Sequence, residues 1–564
     1  MRSGGEAALT MTPAPLIAPT EYQRRRRQLM RIIGRDAIAI LPAAPERIRN
    51  NDAHYPYRQD SDFHYQTGLD EPHAVLALVP GRKAGEVILF CRERDTERER
   101  WDGPRLGPER AVDQLALDDA FPIDDIDDIL PGMIEGRERV YYHFGREIEF
   151  DQKLIGWVNR VRAQMRQGAR PPHEFVALSH ILHDLRLFKS RSELRVMAKS
   201  AQIAADAHLR AMRATRPGSS EALIAAELIH AFHTNHAVPS YEPIVGGGAN
   251  ACVLHYRANN APLRDGDLLL VDAGAEFQCY ASDITRTWPV NGRYSAPQRA
   301  LYELVLEAQY RAIDEARPGQ PFTAMHDAAV RTLTRGLIRL GLLEGSLDTN
   351  LKTGAYKRFY MHKTGHWLGL DVHDVGDYRV DDEPRVLEPG MVVTVEPGLY
   401  IAPDETGIDA KWKGIGIRIE DDVVIAATGP DVLSHGVPKE PDAIEEILAN
   451  RGNRASVATQ AESRVTAVVS NDQDARQPRA RDSEQDRVGE PTDEASPNIP
   501  FDNDRLVRMG DHAVDCREHL AVQRISETGL KGVVVAGRPI EFRGGLNVKL
   551  DPHLRPPVRS MNAS

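Results

Sequence analysis

No stretch of the 564-residue sequence approaches the ~18 consecutive apolar residues of a membrane-spanning helix. The opening MRSGGEAALTMTPAPLIAPTEY lacks the charged start, apolar centre and cleavage site of a secretory signal in series. Cysteine is scarce, and Cys91, Cys252, Cys279 and Cys516 have no CxxC spacing, so neither a disulfide framework nor a structural zinc site is supported. Basic charge is not in excess: 71 Lys and Arg stand against 83 Asp and Glu, a net charge of -12. Binding to nucleic acid through phosphate neutralisation is therefore not expected, whereas an anionic surface suits a cation site. These absences lead us to expect a soluble cytoplasmic protein with reduced thiols and neither a nucleic-acid nor a membrane partner. At roughly 100–200 residues per domain, more than one folded unit is required.

Residues 21–187 alternate short apolar runs with turn-rich loops, and AIAIL at 37–41, AVLALV at 74–79, EVILFC at 86–91 and VYYHF at 140–144 read as buried strands. An α/β amino-terminal domain follows. Arg24 to Arg27 read as the solvated side of a first helix. A second domain, residues 188–448, opens with a capping box at Ser190 and Glu193, and its helix stops at Arg216-Pro217-Gly218. Another helix follows over 220–235, then a β-rich stretch. The same order recurs, with helices from Ser295 to the stop at Arg317-Pro318-Gly319 and over 323–340, then more strands. Two helix–helix–strand halves imply an internal duplication with a cleft between them. Residues 1–20 are expected to be flexible. After residue 449 the chain to about Pro500 is polar and charged, a composition expected to remain disordered, and 529–550 has some strand character.

The chemistry lies in acidic residues that end short apolar strands. Alternation puts Leu268, Leu270 and Asp272 on one face of LLLVDAG, and Asp283, Thr285 and Thr287 on one face of DITRTW. Glu396 ends MVVTVEPG, while Gly416, Arg418 and Glu420 oppose the core-facing Ile415, Ile417 and Ile419. Four carboxylates converging on a cleft repel one another and must share protons or hold cations. His362, His366 and His373 lie in the Gly-punctuated HKTGHWLGLDVHD, and His255 is a further candidate. One histidine with four carboxylates suits two hard divalent ions such as manganese, which points to metal-assisted hydrolysis.

The motifs DAG…DITRT, HWLGLDVHD, TVEPGLY and GIRIEDD resemble those of the pita-bread metallopeptidases, most closely the aminopeptidase P group, and the resemblance runs from 21 to 448. YPYRQDSDFHYQTGLDEP at 55–72 is similar to the accessory domain of aminopeptidase P and prolidase. The resemblance implies an α/β accessory domain, a duplicated pita-bread α+β catalytic domain, and two divalent ions, Mn2+ by preference, held by Asp272, Asp283, His366, Glu396 and Glu420. It implies that Asp283 and Glu420 touch both ions, and that a hydroxide bridging them attacks the bond before proline. Glu396 would handle the proton and His373 would stabilise the tetrahedral intermediate, while His255, His362 and Arg418 would contact substrate. Asp52 and Trp101 match positions lent by a neighbouring subunit, which implies a homo-oligomer, a tetramer or a dimer. Arg379 and Arg385 stand in for a substrate-gating arginine, and the extension after residue 450 has no counterpart. The implied activity is removal of the first residue from peptides with proline second. The alternatives are a prolidase restricted to Xaa-Pro dipeptides and a non-catalytic peptide-binding module.

Overall fold

The computed structural model describes residues 15–451 and the paired strands Val534–Val535 and Arg538–Pro539. The expected disorder between 452 and Pro500 and most of the expected flexible amino terminus lie outside the described residues. The first helix starts at Pro19, and Ile17 before it is buried.

The accessory domain is built on a six-stranded sheet. In spatial order its strands are Asp119–Pro122, Val87–Cys91, Val75–Leu78, Ala37–Pro42, Arg139–Tyr142 and Glu174–Ala177. Its central strands read as unbroken apolar runs because both faces are covered. Ile38, Ile40, Ile88 and Phe90 pack against the helices Ile126–Ile134 and Ile148–Ala163, while Ala39, Leu41, Leu76 and Leu89 face the core shared with the rest of the protein.

One expectation fails in the first helix, Pro19–Ile33. Arg24 and Arg27 are exposed, but Arg25 and Arg26 are each only 1% exposed. Arg25 lies over the Tyr65 ring, donates to the Tyr65 carbonyl at 3.0 Å and pairs with Glu193 at 3.3 Å. Arg26 donates to the carbonyls of Gln66, Leu115 and Ala116, the last two at the end of the helix Pro108–Leu115. A planar guanidinium can enter a core when carbonyls and a carboxylate meet its N–H groups. The charge run is therefore half solvated surface and half buried packing, with Arg25 alone reaching the second domain.

In the second domain the capping box forms as expected: the Ser190 N–H donates to Glu193 at 2.9 Å and opens the helix Arg191–Ala214. The helix Glu221–Thr234 completes the first pair, and Ala296–Glu315 with Thr323–Arg339 forms the second. Each pair is followed by antiparallel sheet. The first half contributes Ile244–Gly247, Leu268–Asp272 and Thr285–Pro289, and the second contributes Val392–Val395, Asp421–Ala426 and Gly429–Val432. A further ribbon pairs Gly398–Ile401 with Ile415–Arg418. A buried ion cluster ties the two domains, with Arg186 bridging Asp62 at 2.8 Å to Asp374 at 2.6 Å and Lys189 held on Asp374 at 2.9 Å.

Candidate metal centre

Register decides which acidic side chains meet. Asp272 pairs with Thr285 and Leu270 with Thr287 across two strands, so the face carrying Asp272 also carries both threonines. The chain turns back through the hairpin of Ala275–Phe277 and Tyr280–Ala281 and delivers Asp283 beside Asp272. This return is tight at Gly274, where a Cβ would stand 1.7 Å from the Ser282 carbonyl oxygen, so no larger residue fits. In the other half, the Thr394 N–H donates to the His366 carbonyl and the Glu396 N–H to that of Thr364, which lines His366 up with Glu396. Glu420 joins them because its N–H donates to the Thr285 carbonyl at 3.1 Å.

Asp283, His366 and Glu420 each offer a ligand atom within 4.8 Å of the others. Nε2 of His366 lies 3.4 Å from Asp283 and 3.9 Å from Glu396. Nδ1 of His366 donates to the Trp367 carbonyl at 2.9 Å. A carbonyl only accepts, so Nδ1 holds a proton and Nε2 is the nitrogen turned toward the carboxylates, the one a metal ion would take in exchange for its proton. Arg418 Nη2 donates to Asp272 at 2.6 Å and its Nε to Thr285 at 3.1 Å, while the Thr285 hydroxyl donates to Glu420 at 2.5 Å.

The electrostatics show what the cluster lacks. Burial pushes Glu396 up to about 7, and burial with the charge of Asp283 raises Glu420 well above the ordinary range. Asp272 is raised by burial and by Asp283, although Arg418 opposes this. Burial works against ionisation of Asp283, but the hydrogen bond and charge of His366 outweigh it and hold the group low. Burial also disfavours a charged His366, yet Asp283 and Glu396 lift it to about 9. Four carboxylates thus surround one permanent cation, Arg418, and draw a proton onto the histidine. The Tyr241 hydroxyl contacts both Asp272 and Asp283. One hydroxyl hydrogen cannot serve two carboxylates at once, so the group is short of positive charge. Divalent ions fit this donor set, and its oxygen-rich character matches hard cations.

Around the donors, His362 donates from Nδ1 to the Lys363 carbonyl at 2.7 Å and its Nε2 meets the Tyr400 hydroxyl at 2.9 Å. Burial, aided by the charge of Arg418, lowers its pKa to about 4, so the ring is neutral. His373 is exposed and packs edge-on against His366, with ring centres 4.3 Å apart. Its pKa is lowered by partial burial and then by His366. His255 is exposed.

Asp52 and Trp101 are not brought to the donors by contacts within the chain. Asp52 is exposed in the turn joining Ile48–Asn50 and Ala53–His54, and Trp101 is 87% exposed. Arg385 is tied to Asp184 at 2.6 Å, while Arg379 is exposed. The sequence reading missed Tyr241, Tyr400 and Asp422, the last of which receives the Asp283 N–H at 3.2 Å. Tyr241 lies in an irregular loop where no periodicity marks it.

Buried carboxylates, an imidazole turned toward them and a deficit of positive charge define a metalloenzyme centre. Residues 195–427 match the model of metallopeptidase family M24, and residues 22–141 match the aminopeptidase P amino-terminal domain. The Xaa-Pro aminopeptidase of Haemophilus influenzae is 43% identical over 76% of this chain and 97% of its own. The structure of Pseudomonas aeruginosa aminopeptidase PepP is 58% identical with a TM-score of 0.77, covering 77% of this chain and 99% of that one. Aminopeptidase P of Escherichia coli with the inhibitor Pro-Leu is 42% identical with a TM-score of 0.75, over 77% and 99%. The chain belongs to metallopeptidase family M24, in its aminopeptidase P group.

Proposed function

We propose that this enzyme removes the amino-terminal residue from peptides with proline at the second position, and that Asp272, Asp283, His366, Glu396 and Glu420 hold two divalent ions, manganese by preference. When bound, such ions activate water and polarise the scissile carbonyl. The chain's own groups supply the rest. Glu396, half-buried and pushed up to about 7 before any ion is counted, can take a proton from the attacking water and pass it to the leaving proline nitrogen. His373, exposed at the rim beside His366, can direct an N–H at the carbonyl oxygen as negative charge grows there.

An Xaa-Pro bond has no N–H, so recognition must come from shape. His362 suits one wall of a pyrrolidine pocket because both its nitrogens are engaged and its ring is neutral. Arg418 steadies that wall by donating to Tyr400 at 3.0 Å, and His255 stands at the mouth. The exposure of Asp52 and Trp101 supports an assembly, a homotetramer in our reading, in which a neighbouring copy presents them to the site. Free thiols at Cys91, Cys252 and Cys279 suit a reducing cytoplasm.

The observation that carries this reading is the meeting of four carboxylates, three of them buried and Glu396 half-buried, with an imidazole turned toward them. Kinetics on Gly-Pro and Arg-Pro-Pro test it. Release of arginine from the tripeptide is expected, and hydrolysis confined to the dipeptide would assign a prolidase instead. No turnover of either peptide with manganese present would leave only a binding module.

A further inference from the structure

A second group of metal-binding side chains lies outside this centre, at the seam between the domains. His64, in the helix Ser61–Thr67, holds Nδ1 at 2.8 Å from an Asp70 carboxylate oxygen. Cys279, from the catalytic domain, places its sulfur 3.7 Å from the same Asp70 oxygen. One ligand atom from each residue lies within 4.8 Å of the other two. The edge of a tetrahedron with arms of about 2.0–2.3 Å is roughly 3.3–3.8 Å, so small side-chain movements bring all three into coordination. His64 is buried and its orientation fixed, whereas Asp70 has a side chain 62% exposed and leaves an entry path for an ion.

The backbone at Cys279 is unusual. Phe277 pairs with Tyr280, so Gln278 and Cys279 form a two-residue hairpin turn, with φ of 49° and 65°. Such turns favour glycine or asparagine, and a cysteine at a left-handed position is strained. The turn is held against the accessory domain by Arg58, which donates to the Cys279 carbonyl at 3.3 Å and to the Leu370 carbonyl at 2.6 Å.

We propose that His64, Asp70 and Cys279 form a third cation site, separate from the dinuclear centre, for a thiophilic divalent ion such as zinc with water as fourth ligand. Sulfur, imidazole and one carboxylate select zinc or cobalt over manganese. Because His64 and Asp70 belong to one domain and Cys279 to the other, the ion would pin the accessory domain onto the hairpin that leads to Asp283.

Cobalt(II) titration of the chelator-treated full chain tests this independently of the peptidase reading, because no cysteine belongs to the dinuclear centre. A near-ultraviolet thiolate-to-cobalt charge-transfer band is expected, saturating at one ion per chain. It should vanish in Cys279→Ser, persist in Cys252→Ser, and require at least about tenfold more cobalt in His64→Gln. Cys279→Gly, which supplies the residue this turn prefers, keeps the test free of misfolding, and it should abolish any zinc-induced rise in Tm assigned to this site. A wild-type protein without the band, a band that survives Cys279→Ser, or an unchanged cobalt requirement in His64→Gln would each overturn the proposal.

Discussion

Arg418 donates from Nη2 to Oδ2 of Asp272 at 2.6 Å, a buried ion pair inside a group of carboxylates otherwise short of positive charge. The guanidinium fixes the direction of the Asp272 carboxylate while its other nitrogens hold Thr285 and Tyr400. A lysine keeps the charge but cannot make three separately directed contacts. Arg418→Lys is therefore expected to lower kcat/KM by about a hundredfold, a loss of roughly 2–3 kcal/mol of transition-state stabilisation. Steady-state kinetics on an Xaa-Pro tripeptide, with Tm measured alongside, check this. Near-wild-type kinetics would remove Arg418 from the site's working geometry.

Glu396→Ala and Asp283→Ala are expected to lower turnover by at least about a thousandfold. The fold should remain, because each change relieves repulsion among buried carboxylates and removes no core packing. Circular dichroism and a cooperative melt close to wild type would accompany the loss of rate.

Acid sensitivity should arise in part from His208. It lies fully buried in the helix Arg191–Ala214, with Nδ1 donating to the Ala204 carbonyl at 2.9 Å and Nε2 without a hydrogen-bond partner. Burial lowers its pKa to about 4. Between about 6.5 and 4 the unfolded chain binds a proton that the folded chain refuses, so stability falls as pH falls through that window, by on the order of 3 kcal/mol in total. Chemical denaturation at several pH values should show this loss, and His208→Leu should make the slope shallower. An unchanged slope in the variant would contradict the assignment.

A chain ending at Asn450 is expected to keep kcat/KM within about twofold of the full-length protein. It retains Pro441, Ile444 and Leu448, the buried residues of the last helix among the described residues, Pro441–Ala449. A large loss of rate on truncation would give the extension a part in catalysis.

Legibility followed regularity. Asp272, Asp283, Glu396 and Glu420 could be read as one group because each ends or flanks a strand whose alternation fixes its face, and register then brought them together. Their specific pairings could not be read. Tyr241 reaches Asp272 and Asp283 from an irregular loop, and its role depends on tertiary approach alone. Arg25 and Arg26 show the same limit from the other side: a run of like charges signals solvent, whereas carbonyls and an acid from other elements drew two of its members inside. Thr285 was placed on the correct face, but nothing local marks it as the hydroxyl that holds Glu420. The resemblance supplied the substrate class, which periodicity cannot encode.

The central claim is the pair of divalent ions among Asp272, Asp283, His366, Glu396 and Glu420. Anomalous diffraction from crystals grown with manganese tests it directly. Two peaks enclosed by these five side chains are predicted, and a single peak or none, in crystals of protein that is active on Xaa-Pro peptides, would contradict it.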